Sequence, residues 1–414
     1  MRAPHRVVVV GASLAGLSAA RTLRAEGWTG SLTVVGAEPH LPYDRPPLSK
    51  EVLAREEEPE LPRLPLPAGP DARWLLGRRA VRLDTSERRV TLSDGTGLAY
   101  DGLVIATGAH ARTPRAGGPA PPGVFTLRGW DDALAVRARL GAGRSLVVVG
   151  GGFLGSEIAA AARARGTAVT LVEAAEQPLT RALGRVAGAY VAGLQEEAGI
   201  TVRTGTRVTG FRTALGGGLC AVELTNASAV PADTAVVALG GVPATDWLAG
   251  SGLLLDQGVC CDPFLRALRG DGSPAPGVVA AGDAAKVPYA LAGGSRVTTG
   301  HWADALAQGA AAASTLLHGE TAGPYDTVPS FWADLHGARF RSVGLPSLAD
   351  EATVLEHDPA GRRLEIAYHH RGSPVGALTA GRTSRLAAYR AELASAARSA
   401  GVCAAAPSAG TRTG

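Results

Sequence analysis

The chain has 414 residues and four cysteines, Cys220, Cys260, Cys261 and Cys403, so its first half holds none. They form no C-x-x-C and no cluster with metal-ligand spacing, so neither a metal site nor a disulfide framework is expected. Cys260 and Cys261 are adjacent, a poor geometry for a bridge, and read as buried or incidental thiols. Lysine is nearly absent: Lys50 and Lys286 stand alone, and arginine carries the positive charge. Net charge is only +4, and no basic run is interleaved with aromatics, which argues against nucleic acid. Mild basicity suits an acidic protein partner. Long apolar runs are missing too. The stretch 303–317 is broken by Asp304, Gln308 and Gly309, and reads as a buried or amphipathic helix, not a membrane span. Arg2 and Arg6 precede an apolar run, yet a glycine turn follows, so this is a first strand and not a signal peptide. A cytoplasmic protein with no membrane partner is expected.

Glycine is abundant, and it recurs at two matching points. Val7–Val10 runs into Gly11-Ala12-Ser13-Leu14-Ala15-Gly16; Leu146–Val149 runs into Gly150-Gly151-Gly152-Phe153-Leu154-Gly155. Each apolar run reads as a buried parallel strand, and each turn opens an Ala-rich helix. Strand, tight turn and helix N-terminus together make a pyrophosphate cradle. In the first, Gly11 and Gly16 hold the outer positions of G-x-G-x-x-G, and Ser13 replaces the middle glycine. Serine is small enough for close backbone approach and adds a hydroxyl. Glu38 ends the next strand about 20 residues on, where an acid binds a ribose diol. The second cradle has all three glycines, Gly150, Gly152 and Gly155, and its next strand ends at Glu173. A carboxylate there accepts from both ribose hydroxyls and repels a 2′-phosphate, which favours NADH over NADPH. Two cradles in one chain point to two dinucleotides, and so to electron transfer between them.

The reading along the chain gives an α/β protein: two Rossmann-like dinucleotide-binding domains, one discontinuous, and a C-terminal α+β domain. Helices are expected near 14–25 and 155–165, with strands at 31–35 and 168–172. Residues 46–70 look irregular. Short strands follow at 81–83, 89–92 and 98–100, then an apolar run 102–106, and 113–123 resembles a linker. After the second unit come strands near 201–203, 208–211 and 221–224 and a run 234–239 ending at Gly240-Gly241. A run at 277–281 ends in Gly282-Asp283 and returns the chain to the first nucleotide site. The expected domains are 1–112 with 240–322, 113–239, and 323–400, the last with strands near 341–344, 364–368 and 374–379 and a helix from 383 to about 398. Residues 401–414 read as a disordered tail.

Residues 41–50, Leu-Pro-Tyr-Asp-Arg-Pro-Pro-Leu-Ser-Lys, add specific chemistry. Arg45 near the first cradle can clamp a pyrophosphate, and the ammonium of Lys50 can stabilise negative charge near a flavin ring. With GASLAG, EPHLPYDRPPLSK, YDGLVIATGA, VVVGGGFLGSEIA, GVVAAGDAA, HWADALAQG and VPSFWADLHG, the chain resembles a ferredoxin reductase of the FAD-dependent pyridine-nucleotide oxidoreductase superfamily. The similarity is to the putidaredoxin-reductase and biphenyl-dioxygenase-reductase type. The resemblance implies FAD on the first unit through Gly11, Ser13, Leu14, Ala15 and Gly16, with Glu38 on the adenosine ribose. Arg45 and Lys50 would lie along FAD, Val81 would meet adenine through its backbone, and Ala106-Thr107-Gly108 would pass close. Arg128 would approach FAD, Gly282 and Asp283 would bind the ribityl chain, and His301, Trp302 and Trp332 would border the flavin. NADH would take Gly150, Gly152, Phe153, Leu154, Gly155 and Glu173, with Arg181 and Gly240 nearby. Glu157 would sit by the nicotinamide, paired with Lys50; Lys50, Glu157 and Trp332 are the catalytic candidates. Gly300, where relatives carry Glu, and Leu335-His336 depart from the pattern and are expected near the flavin face.

The implied activity passes hydride from NADH to FAD, then single electrons to a 2Fe–2S ferredoxin serving a cytochrome P450 or a ring-hydroxylating dioxygenase. Docking would be transient and electrostatic, with Arg339 and Arg341 as candidates, on a monomer or weak dimer. The missing cysteines matter again. Flavin disulfide reductases need an early C-x4-C, and water-forming NADH oxidases and coenzyme A disulfide reductases need one early Cys. The F-x-G-x-x-x-H motif of flavin monooxygenases is absent as well. A rubredoxin or nitrite-reductase partner, a peroxide-forming oxidase and a flavin-bound redox sensor share the same motifs.

Overall fold

A computed structural model describes residues 3–66, 72–113, 120–382 and 384–404, with side chains as far as 398. Part of the expected linker, 114–119, and most of the expected tail, 405–414, lie outside the described residues.

One construction is built twice. Strand Arg6–Val10 lies between Ser31–Val35 and Gly102–Ile105, all parallel. Strand Ser145–Val149 lies in the same way between Ala168–Val172 and Thr234–Val237. These strands read as near-continuous apolar runs because both faces are covered. The match extends to single hydrogen bonds. Gly11 N–H donates to the Val35 carbonyl and Gly150 N–H to the Val172 carbonyl, each at 2.8 Å.

The first sheet has six strands, and the chain leaves it after Gly102–Ile105. It returns as the antiparallel pair Arg266–Leu268 and Pro274–Ala280, the second lying parallel to that same strand. Between the two sheets, Ala109–Ala111 on the way out pairs antiparallel with Gly241–Pro243 on the way back. The crossing is therefore a hydrogen-bonded double strand. The second sheet has five strands.

Helix Leu14–Ala25 follows the first turn and packs on helix Trp302–His318. Their approach is close enough that a Cβ on Gly309 would stand 2.3 Å from the Ala15 carbonyl oxygen. The Ser18 hydroxyl donates to the Leu306 carbonyl at 2.7 Å across the same contact. This fixes the helix that carries Trp302 against the first cradle.

Of the segment expected to be irregular, 67–70 lie outside the described residues, and 46–66 is more ordered than its prolines suggested. Pro46–Ser49 forms a 3₁₀ turn and Glu51–Ala54 a short helix, because proline in a first turn presets φ and has no N–H to lose. Leu48, Val52 and Leu53 are buried there. The C-terminal sheet has five antiparallel strands, ordered Ser330–Leu335, Ala338–Gly344, Ser373–Ala380, Arg363–His370, Glu351–Asp358. The last is an exposed edge without apolar alternation, so pattern reading passes over it. The final helix runs Leu386–Ala404, beyond the expected 398.

Three main apolar cores result. One lies around the first sheet, one joins Tyr43 and Leu48 to Trp130 and Ile158, and one joins Leu183 and Tyr190 to Phe340 and Tyr368. Cys260 and Cys261 are buried and Cys220 is exposed. No helix among the described residues is long and apolar enough to cross a membrane.

Candidate nucleotide and electron-transfer site

A cavity of about 590 Å³ opens at the carboxyl ends of the first sheet's strands, where ligands bind in open α/β sheets. One end is the first glycine turn. Gly11 has φ +124°, and a Cβ there would lie 1.9 Å from the Ala106 carbonyl oxygen. A Cβ on Gly16 would lie 1.9 Å from the Gly11 carbonyl oxygen. Helix Leu14–Ala25 starts with no side-chain cap and no acid in its first turn. Ser13, Leu14 and Ala15 line the cavity, so the helix offers uncapped N–H groups and its positive dipole end to an anion.

Arg45 sits beside this turn and is largely buried. Its Nη2 meets Glu38 Oε1 at 2.5 Å, its Nη1 donates to the Arg128 carbonyl at 2.7 Å, and its Nε donates to Ser13 Oγ at 3.3 Å. The Tyr43 hydroxyl donates to the other Glu38 oxygen. Burial opposes the charge of Glu38, but Arg45 and the Tyr43 hydroxyl outweigh it and hold this carboxyl below its ordinary range. Burial likewise opposes the charge on Arg45, and Tyr43 and Glu38 overcome it. Arg128 meets Asp283 at 2.7 Å. The adjoining Gly282 N–H donates to Gln308 Oε1 at 2.8 Å.

At the other end, Lys50 Nζ meets Glu157 Oε1 at 2.8 Å, and the Ser49 hydroxyl donates to Glu157 Oε2 at 2.6 Å. Aromatic rings close the wall. Trp302 and Trp332 meet edge-on with centroids 5.6 Å apart, and Phe153 and Phe331 do so at 4.6 Å. Trp302 Nε1 donates to Asp44 at 2.7 Å. Four parts of the chain thus converge: the segment after Glu38, the helix after the second turn, the helix of Trp302, and the first strand of the C-terminal sheet.

The second glycine turn lies outside this cavity. Gly150 has φ +105°, and a Cβ on it would lie 2.5 Å from the Ala238 carbonyl oxygen; one on Gly155 would lie 1.9 Å from the Gly150 oxygen. Around Gly152 there is open space. Glu173 accepts from the Gly151 N–H at 2.7 Å and from the Ala175 N–H at 2.8 Å, one bond to each oxygen. Gly240 turns at φ +89° and Arg181 is exposed on the first turn of helix Thr180–Glu197. Phe153, Leu154 and Glu157, at the start of helix Phe153–Ala164, do reach the cavity. That helix joins the second cradle to the first cavity.

Most of the residues singled out from the sequence line the cavity together, among them Ala106, Thr107, Gly108, Gly282 and His301. At the end expected to take adenine the lining stops at Ala80, and the Val81 side chain is 47% exposed beyond it. Gly300 lines the cavity at φ +68°. Leu335 and His336 do not, which corrects their expected place at the flavin face. Strand alternation turns Leu335 with Ala333 into the third core. His336 lies in the following turn and meets Gln195 at 3.0 Å, where burial and then Arg362 push its imidazole below the usual range. Sequence reasoning gave no role to Tyr43, Asp44 and Ser49, although they lie inside its most specific segment. Asp246 and Trp247 also line the cavity, and no motif marks them.

The family model described as pyridine nucleotide-disulphide oxidoreductase matches residues 5–309. The ferredoxin–NAD(+) reductase subunit of a benzene 1,2-dioxygenase system from Pseudomonas putida is 36% identical over 342 residues, covering 82% of this chain and 80% of its own. Rhodocoxin reductase from Rhodococcus erythropolis is 36% identical over 352 residues, covering 84% and 80%. The solved covalent complex of putidaredoxin reductase with putidaredoxin matches with a TM-score of 0.86 at 30% identity, covering 94% of this chain and 93% of that one. The chain therefore belongs to the pyridine nucleotide-disulphide oxidoreductase family, among its ferredoxin reductases.

Proposed function

We propose that this protein is an FAD-dependent NADH:ferredoxin oxidoreductase. One observation carries the reading: a single cavity runs from an uncapped helix start with a largely buried arginine to a Lys–Glu pair ringed by aromatics. That sequence of groups fits FAD from pyrophosphate to isoalloxazine. When bound, FAD takes two electrons as hydride and passes them on one at a time.

The chain's own residues do the rest. Ser13, Leu14 and Ala15 hold the pyrophosphate on backbone N–H groups, and Arg45 neutralises it. Glu38 orients the adenosine ribose, while Asp283, braced by Arg128, holds the ribityl chain. Trp302 and Trp332 exclude water from the ring. The units that act are 1–112 with 240–322 for FAD, 113–239 for NADH, and 323–400 for Phe331 and Trp332 in the aromatic wall.

NADH binds at the second cradle. Glu173 has both oxygens fixed by backbone N–H groups, and its remaining lone pairs suit a ribose diol and repel a 2′-phosphate. Hydride transfer needs alignment more than a proton shuttle, and Glu157 sits where the nicotinamide end would arrive. The acceptor is a 2Fe–2S ferredoxin, supported by the ferredoxin named in the benzene dioxygenase relative. Docking is brief and electrostatic, aided by the basic balance of the chain.

The test mixes purified yellow holoprotein with NADH and cytochrome c, with and without a 2Fe–2S ferredoxin. Ferredoxin should raise the rate far above the flavin's own oxidation; no increase sinks the reading. A catalytic efficiency with NADPH equal to that with NADH sinks the assignment of Glu173.

A further inference from the structure

The charged pairs around the cavity are mostly closed: Arg45–Glu38, Arg128–Asp283 and Lys50–Glu157 meet at 2.5, 2.7 and 2.8 Å. His301 and Asp304 are different. Nδ1 and Oδ2 stand 3.5 Å apart, and both atoms are buried without a hydrogen-bond partner. Asp304 is only 2% exposed. Its other oxygen has one long contact, from the Tyr325 hydroxyl at 3.5 Å. A buried carboxylate so poorly supplied with donors is costly to keep ionised. His301 holds the N-cap position of helix Trp302–His318 without a side-chain capping bond, lines the cavity and leans on the Phe331 ring at 5.0 Å.

The neighbours put no donor into this gap. Burial first, with the charge of Asp304 added, pushes the Tyr289 and Tyr325 hydroxyls far above their ordinary values, so both keep their protons. Tyr289 accepts from Gln308. On the cavity side, Lys50 and Glu157 hold each other, Asp283 holds Arg128, and Asp44 holds Trp302. The 3.5 Å gap between His301 and Asp304 is therefore bridged by no neighbouring donor among the described residues. A proton added there would let an imidazolium close on the carboxylate.

We propose that His301 and Asp304 form a one-proton site in the cavity wall, filled from solvent when the flavin gains electrons and emptied when they leave. This rests on the reading of the cavity as a flavin site. NADH gives up two electrons and one proton as hydride and departs as NAD⁺, so the cavity gains one negative charge. One H⁺ from solvent, taken on Nδ1 and shared with Oδ2, balances it. Two ferredoxins then remove one electron each, and both protons return to solvent. The sum is NADH and two oxidised ferredoxins giving NAD⁺, two reduced ferredoxins and one H⁺.

The experiment counts protons, not turnovers. Holoprotein is reduced photochemically without oxygen in weak buffer near pH 7, with a pH-indicator dye. Wild type should take up about one more proton per flavin than Asp304→Asn or His301→Gln. In the ¹⁵N spectrum of the wild type, one histidine ring should gain a proton on reduction, and that signal should be missing from His301→Gln. Equal uptake in the wild type and in whichever variants fold, or a ring unchanged by reduction, overturns the proposal. Flavin content separates the two readings: a protein that binds FAD yet shows equal uptake loses this inference alone, whereas one that binds no FAD loses the cavity assignment as well.

Discussion

Glu157 carries a buried charge between two partners, the Lys50 ammonium and the Ser49 hydroxyl. Removing one member of such a pair leaves the other uncompensated. Lys50→Ala should therefore destabilise the protein by about 3 kcal/mol, and adding Glu157→Gln should recover more than half of the loss. Urea unfolding of both single variants and the double variant measures the coupling. Lys50→Ala should also slow flavin reduction by NADH about tenfold or more, a barrier change of roughly 1.4 kcal/mol, while FAD stays bound; stopped-flow absorbance reads both. Glu38 makes a prediction in pH. Its folded value lies below the ordinary 4.5, so its stabilising share is complete above that pH and is lost as pH falls through the folded value. The gap in urea midpoint between wild type and Glu38→Gln should be widest at neutral pH and close in acid.

At the scale of elements, the two glycine turns share a backbone and differ in what surrounds it. Gly155 is packed on the Gly150 carbonyl, whereas Gly152 faces open space. Gly155→Ala should impair folding of the second unit, seen as lost soluble yield or a lower melting temperature. Gly152→Ala should fold normally and raise the KM for NADH about tenfold, since its methyl group enters the space a pyrophosphate needs and roughly 1.4 kcal/mol of binding is lost. Both turns were legible from spacing, because only glycine tolerates these φ values and contacts. Lys50 and Glu157, far apart in sequence, were paired from the resemblance, and they meet here. The Asp44–Trp302 bond was not legible. It joins residues 258 positions apart, and neither residue type signals the other. The edge strand Glu351–Asp358 escaped because its exposed faces carry no period. Leu335 was misplaced because a motif position says nothing of which face of a strand it takes.

At the scale of the whole molecule, the organisation was legible where the chain repeats itself. The return strand could be expected because its apolar run ends in Gly282-Asp283, but the pairing of Ala109–Ala111 with Gly241–Pro243 left no mark in composition. The cavity wall draws on all three main cores: Val10 and Ala15 from the first, Tyr43 and Leu154 at the second, Phe153 and Phe331 at the third. A molecule that fills this space is then in contact with each of these three separately packed parts of the protein. Ligand binding stabilises whatever must be folded to form its site, so here it ties three stabilities into one. Scanning calorimetry should show the FAD-loaded protein melting in a single transition. After the flavin is stripped, the same scan should resolve into more than one, each with a smaller enthalpy. The cofactor would then be the element that makes unfolding cooperative.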